Sequence, residues 1–350
     1  MRRIIMTLCA AAAIVACSKT EVQYEAAGEI GFMPVKGNIT KAAGLTGTLN
    51  SDHRLGIWAF WDADGVAEEP TTTGDVTIPI TYTNYTDPYL VNALFSNVGS
   101  NNWGAPNGLS YPWPNNGALV FAGYTTPNGA VWPLDTADEN DTDVSYTLGT
   151  DVMVFTNYDN TSEFDLCWFG RTAKSYNNRA DGAAVGVTLN HALSWVSIAV
   201  YGEGSAVGSY TITSITLDQI PTKGTASCYG SNGNAKWDSV SDNTNVLAYS
   251  GEYLLDKATE DNGKKIGYKL TDNLVIPTIP VNLTISYKLK VNGVYKPESK
   301  TVSLKLNDGN TQKWESGIHY TYTLVIKANE IQVSPSYGAW GTADQSVTVE

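Results

Sequence analysis

Val281-Asn282-Leu283-Thr284-Ile285-Ser286-Tyr287-Lys288-Leu289-Lys290-Val291-Asn292-Gly293 decides the fold class. Every odd position from Val281 to Val291 is apolar and every even one polar, a period of two that fits a strand wet on one face. Asn292-Gly293 then reads as a two-residue hairpin turn, because both central positions of that turn need positive φ. Val302, Leu304 and Leu306 lie on the returning strand. The same alternation recurs behind Gly317 in Ile318, Tyr320, Tyr322, Leu324 and Ile326, and earlier in Val76, Ile78, Ile80 and Tyr82, where Pro79 points to a sheet edge. Leu55 to Trp61 and Ala118 to Tyr124 are short continuous apolar runs, the pattern of strands buried on both faces. No long helical pattern appears, so the fold class is all-β.

Val185, Val187, Leu189, His191, Leu193 and Trp195 share one parity, whereas Val196, Ile198 and Val200 fall on the other. A one-residue slip exchanges the two faces of a strand, which predicts a bulge, a sharp bend or a crossing between sheets near Ser194 to Val196. His191, inside this apolar set, reads as a hydrogen-bonded core histidine, with no second histidine or acid at a useful spacing.

The first residues say where the chain goes. Met1-Arg2-Arg3 is positive, Ile4 to Ala13 is apolar but too short to span a bilayer, and Ile14-Val15-Ala16 are followed by Cys17. This arrangement resembles a lipoprotein signal, which implies diacylglycerol on the Cys17 thiol and cleavage just before it. Residues 1–16 are then a signal peptide and 17–28 a polar tether. Cleavage removes two of the 22 basic residues, Arg2 and Arg3, against 35 acidic ones, so nucleic acid is excluded as an expected partner. Cys167 and Cys228 remain in an oxidising compartment, and either a disulfide or two buried thiols satisfies the sequence, with two thiols favoured because nothing else suggests a disulfide framework. Gly202 to Gly208 is a small-residue linker, so the expected domains are 29–205 and 206–350.

Few residues carry chemistry. Trp103, Tyr111 and Trp113 among Asn, Gly and Pro could stack on a sugar or cover the end of a core. The acidic run Asp135 to Asp143 reads as a solvated loop. Asp62-Ala63-Asp64-Gly65 fails as a calcium loop, since its twelfth position is Thr73 where a bidentate Glu is needed. With three scattered histidines, no metal spacing and no Gly-rich phosphate loop, neither an enzyme nor a cofactor is expected.

Three segments in order, Val187 to Trp195, Gly317 to Ile326, and Ile331-Gln332-Val333 running to Trp340, resemble the fimbrillin family, the type V pilus subunits of Gram-negative bacteria. The Cys17 signal and the stretch from Tyr111-Pro112-Trp113 to Phe121-Ala122-Gly123-Tyr124 fit it too. The resemblance implies two transthyretin-like Greek-key β-sandwiches in tandem, exported as a lipoprotein to the outer membrane. It also implies a surface protease that removes the first strand, and a strand from the next subunit that fills the vacated groove. The expected partners are therefore other pilin subunits, the outer membrane through the Cys17 lipid, and a host or bacterial surface receptor. A structural or tip subunit of a fimbrium, serving adhesion and biofilm formation, is the leading reading; a glycan-binding surface lipoprotein is the other.

The family is usually cut after arginine behind the first strand, but here that stretch offers Lys36 and Lys41, with Arg54 the first arginine after Cys17. Lys41 and Arg54 are the processing candidates. Residues 329–350, lacking an evident partner within the chain, are the donor-strand candidate, with Ile331, Val333, Trp340, Val347 and Val349 as its apolar anchors.

Overall fold

In a computed structural model the structure describes residues 28–35, 53–63, 72–73, 76–77, 87–99, 102–106, 108–127, 143–160, 164–175, 184–230, 233–280, 282–303, 313–328, 330–339 and 345–346. Strands are numbered β1 to β25 in chain order. The hairpin that decided the fold class is β21 (Asn282–Val291) and β22 (Val294–Ser303), paired antiparallel from Asn282↔Ser303 to Val291↔Val294. Asn292 and Gly293 carry φ of 50° and 79°, as the two-residue turn demands.

This hairpin belongs to a four-stranded sheet in the order β17 (Thr244–Leu254), β14 (Tyr210–Ile220), β21, β22. Facing it is a five-stranded sheet in the order β20 (Tyr268–Val275), β13 (Ser194–Gly202), β23 (Ile318–Ile326), β24 (Ile331–Ala339), β25 (Gln345–Ser346). Their inner faces meet in one core: Val196, Ile198, Tyr320, Tyr322 and Leu324 from the five-stranded sheet, and Ile212, Ile215, Leu283 and Ile285 from the four-stranded one. A ribbon of β18 (Thr259–Asp261) and β19 (Lys264–Ile266) turns at Asn262-Gly263, again with positive φ at both residues.

The first half builds an eight-stranded sheet in the order β11 (Val185–Thr188), β1 (Phe32–Val35), β6 (Asn102–Gly104), β5 (Asp87–Gly99), β2 (His53–Asp62), β7 (Ala118–Pro127), β10 (Cys167–Ser175), β12 (Asn190–His191). Its central strands are buried on both faces, as their continuous apolar runs predict. Leu55, Ile57, Leu119, Phe121 and Phe169 enter one core. Trp58, Tyr124 and Trp168 point the other way, against a four-stranded sheet in the order β16 (Asn234–Ser241), β15 (Lys223–Tyr229), β9 (Val152–Asp159), β8 (Val144–Thr147). A two-stranded ribbon, β3 (Thr72–Thr73) with β4 (Val76–Thr77), completes the described strands; Ile78 to Tyr82 lie outside the described residues.

The phase slip is a crossing between sheets. His191 pairs with Cys167 in the eight-stranded sheet, and Ser194 already pairs with Val275 in the five-stranded one. Two expectations are corrected here. The division after residue 205 does not follow the sheets, because β13 lies in the second sandwich and β15 returns to pair with β9. The tail does have a partner: β24 pairs antiparallel with β23 over nine residues, from Ile326↔Ile331 to Ile318↔Ala339. Alternation along β23 makes one apolar face, and β24 extends the sheet that carries it. Among the described residues no helix is long and apolar enough to cross a membrane.

Candidate functional site

The first strand sits in a groove made by residues far along the chain. Side chains alternate from Ile30 to Met33, so Ile30 and Phe32 point inward and are fully buried while Met33 is exposed. Phe32 meets Phe95 and Phe121 edge to face, with ring centroids 5.0 and 5.2 Å apart. Burial of Ile30 and Phe32 contributes roughly 1.5 to 3 kcal/mol each. The backbone is held on both sides: β1 runs parallel to β11 from Phe32↔Val185 to Val35↔Thr188, and Phe32 also pairs with Trp103 of β6. The Ile30 N–H donates to the Tyr111 carbonyl at 2.8 Å, Val185 N–H to Gly31 at 2.7 Å and Trp113 N–H to Gly28 at 3.2 Å. Without β1, an apolar trough floored by Phe95, Phe121 and Phe169 opens, and β11 and β6 lose their partner between them. Unpaired donors and acceptors beside an apolar trough are a template for another strand.

Cys17 and Lys41 lie outside the described residues. Arg54 does not: it pairs with Ser96 of β5 and Thr126 of β7, in the interior of the eight-stranded sheet. A protease cleft binds an extended, unpaired backbone, so Arg54 as a processing site is corrected by its place in the ladder. Trp103 and Trp113 are packed in the core under β1, at 0 % and 3 % exposure, and Tyr111 is partly buried beside Phe95, with centroids 4.9 Å apart. The sugar platform is therefore corrected in favour of its alternative: these rings close the core. Ile331 and Val333 are partly buried against the second core, whereas Trp340, Val347 and Val349 lie outside the described residues.

Two clusters escaped the sequence reading. Asp165, Cys167 and His191 converge in the core, with His191 Nδ1 at 3.1 Å from each Asp165 carboxylate oxygen and 3.4 Å from Cys167 Sγ. His191 is a hydrogen-bonded core histidine, as expected, but an acid does face it. Its signal was the spacing Asp165-x-Cys167, which in extended chain puts both side chains on one side, Asp165 just ahead of β10. Burial, reinforced by Asp165, pushes the Cys167 thiol well up; burial does the same to Cys228, and both cysteines are free.

The second cluster, on the outer face of the five-stranded sheet, holds Ser197, Asp272 and His319. The Ser197 hydroxyl donates to Asp272, and His319 Nε2 lies 2.7 Å from the same hydroxyl oxygen. Serine is thus in the middle, where a nucleophilic relay needs histidine between serine and acid. With its proton committed to Asp272, the hydroxyl accepts from His319 and gives it none. Trp195 stacks on His319 at 3.8 Å and donates its indole N–H to Asp272, so the cluster braces three strands.

A family model described as fimbrillin-like matches residues 40–340. Among solved structures, the chain is similar to a candidate cell adhesion protein from Bacteroides ovatus, at 12 % identity over 91 % of this chain and 100 % of that one, with a TM-score of 0.50. It is also similar to one from Bacteroides uniformis, at 16 % identity over 89 % and 98 % with a TM-score of 0.49. A fimbrial protein from Bacteroides vulgatus matches at 17 % identity over 84 % and 94 %, with a TM-score of 0.47. At 12 % identity the likeness to the Bacteroides ovatus protein is one of fold. No curated protein matches.

Proposed function

The chain belongs to the fimbrillin-like family, and on that premise we propose that it is a surface pilus subunit that accepts a neighbour's strand in the groove under β1. In this reading Cys17 carries lipid to the outer membrane, a lysine-directed cut at Lys41 releases residues up to and including β1, and a strand of the next subunit takes the place of Ile30 and Phe32. The observation that carries the reading is the complete burial of Phe32, on a four-residue strand, and of Ile30 just before it. That strand is followed by a stretch containing Lys36 and Lys41. A short segment held by backbone hydrogen bonds and two buried side chains can be exchanged for another of the same alternation, which would remake both. Cleavage makes the step directional, because the displaced strand leaves the chain.

The nine-residue pairing of β24 with β23 favours, for a cleaved subunit, a terminal place at the tip of the pilus. A shaft subunit must lend a strand as well as accept one, and lending β24 would undo that pairing and uncover Ile331 and Val333. A role in adhesion and biofilm formation follows from such a position at the cell surface. The test is incubation of the cleaved protein with a peptide spanning residues 29–35. Restored melting temperature with one peptide per chain supports an open groove, and no binding to a cleaved, folded chain contradicts it.

A further inference from the structure

We propose that Asp165, Cys167 and His191 form a buried site for a divalent metal ion of the zinc class. The three residues offer oxygen, sulfur and nitrogen atoms that all lie within 4.8 Å of one another, and each residue is buried. Tetrahedral zinc, with bonds of about 2.0 to 2.3 Å to these donors, places neighbouring ligand atoms about 3.3 to 3.7 Å apart. The observed 3.1 and 3.4 Å lie close to those edges. Both carboxylate oxygens stand at 3.1 Å from His191 Nδ1, as a bidentate Asp165 would, which supplies a fourth ligand atom without water.

In the absence of an ion, Asp165 accepts from His191 Nδ1–H and from the Cys167 thiol, so the donors are already gathered around one carboxylate. A divalent cation would replace those two protons, and one carboxylate with one thiolate balances its charge. The scaffold is rigid. Cys167 and His191 are direct partners across β10 and β12, and the Cys167 N–H donates to buried Thr125 Oγ1 at 2.8 Å. His191 lies just before the chain leaves for the second sandwich, so an ion here would pin β12 at that crossing.

The test refolds the full-length protein with equimolar cobalt or zinc and measures bound metal, near-ultraviolet absorption and melting temperature. Expected are one metal per chain, a thiolate-to-cobalt band and a higher melting temperature than with chelator. Cys228→Ser, which removes the other buried thiol, keeps all three, whereas Cys167→Ser loses the band and Asp165→Asn binds metal at least about tenfold more weakly. Wild-type protein that folds without retaining metal, shows no band and melts identically with and without chelator overturns the proposal, whatever the variants do.

Discussion

Phe32 of the first strand lies edge-on against Phe121 of β7, two residues 89 positions apart whose ring centroids are 5.2 Å from each other. The contact joins a removable strand to the middle of the eight-stranded sheet. Phe32→Ala should lower stability to denaturant by about 3 to 5 kcal/mol, the usual cost of deleting a buried aromatic ring. Met33→Ala, on the exposed side of the same strand, should change it by less than about 0.5 kcal/mol. Equal effects would mean that the strand is not seated as described.

Arg54 and Lys41 separate under limited proteolysis. Trypsin cuts after both residue types, yet Arg54 is paired on both sides and should resist. Native digestion followed by N-terminal sequencing should give products beginning between residues 37 and 53, and Arg54→Ala should leave the pattern unchanged. A product beginning at Leu55 from folded protein would count against the assigned register.

Asp151 ties the eight-stranded sheet to its covering sheet. Its carboxylate meets Arg171 Nε at 3.2 Å and the Tyr146 hydroxyl at 2.9 Å, and its backbone is left-handed at φ 52°. A Cβ on Gly230 would come within 2.2 Å of the same carboxylate, so the site admits nothing larger there. Asp151→Ala should cost about 3 to 5 kcal/mol, taking the carboxylate away from Arg171 and Tyr146 and straining the turn. Asp151→Asn, which tolerates positive φ and keeps an acceptor, should cost clearly less. Denaturant titration of both variants orders them.

Alkaline pH should loosen the second sandwich. Burial raises the Tyr320 phenol to about 12 and pushes Tyr322 higher still, against about 10 in an unfolded chain. Above pH 10 the unfolded chain gives up protons that the folded one keeps, so stability falls as pH rises from 10 through 12 and is untouched below 10. Tyr320→Phe should flatten that slope, measured by denaturation at several pH values; an unchanged slope would place the titration elsewhere.

Truncation after Glu330 tests the tail. Removing β24 strips β23 of nine paired residues, so the truncated chain should melt far lower than the intact one. A truncated protein that melts like the intact one would instead mark residues 331–350 as a spare strand.

The second sandwich was the more legible half, because its strands are wet on one face and carry the alternation that announces them. Leu283 and Ile285 of β21 and Tyr320 and Tyr322 of β23 meet in one core as their parity requires. The slip after Trp195 was legible as a change of face, and it is a change of sheet. Asn262-Gly263 offered the same turn signal as Asn292-Gly293 but lies between strands of three residues with no apolar alternation to flag them. The return of β15 to β9 was hidden, since strand pairing across about 70 residues leaves no local trace. For the same reason Asp165 and His191, 26 positions apart, could not be read as neighbours.

The most direct measurement is the N-terminal residue of this protein recovered from assembled surface fibres. The account predicts a start at Ala42, with no peptide from residues 29–35 detectable by mass spectrometry. Fibres whose subunits begin at lipidated Cys17, with Ile30 and Phe32 still attached, would contradict it.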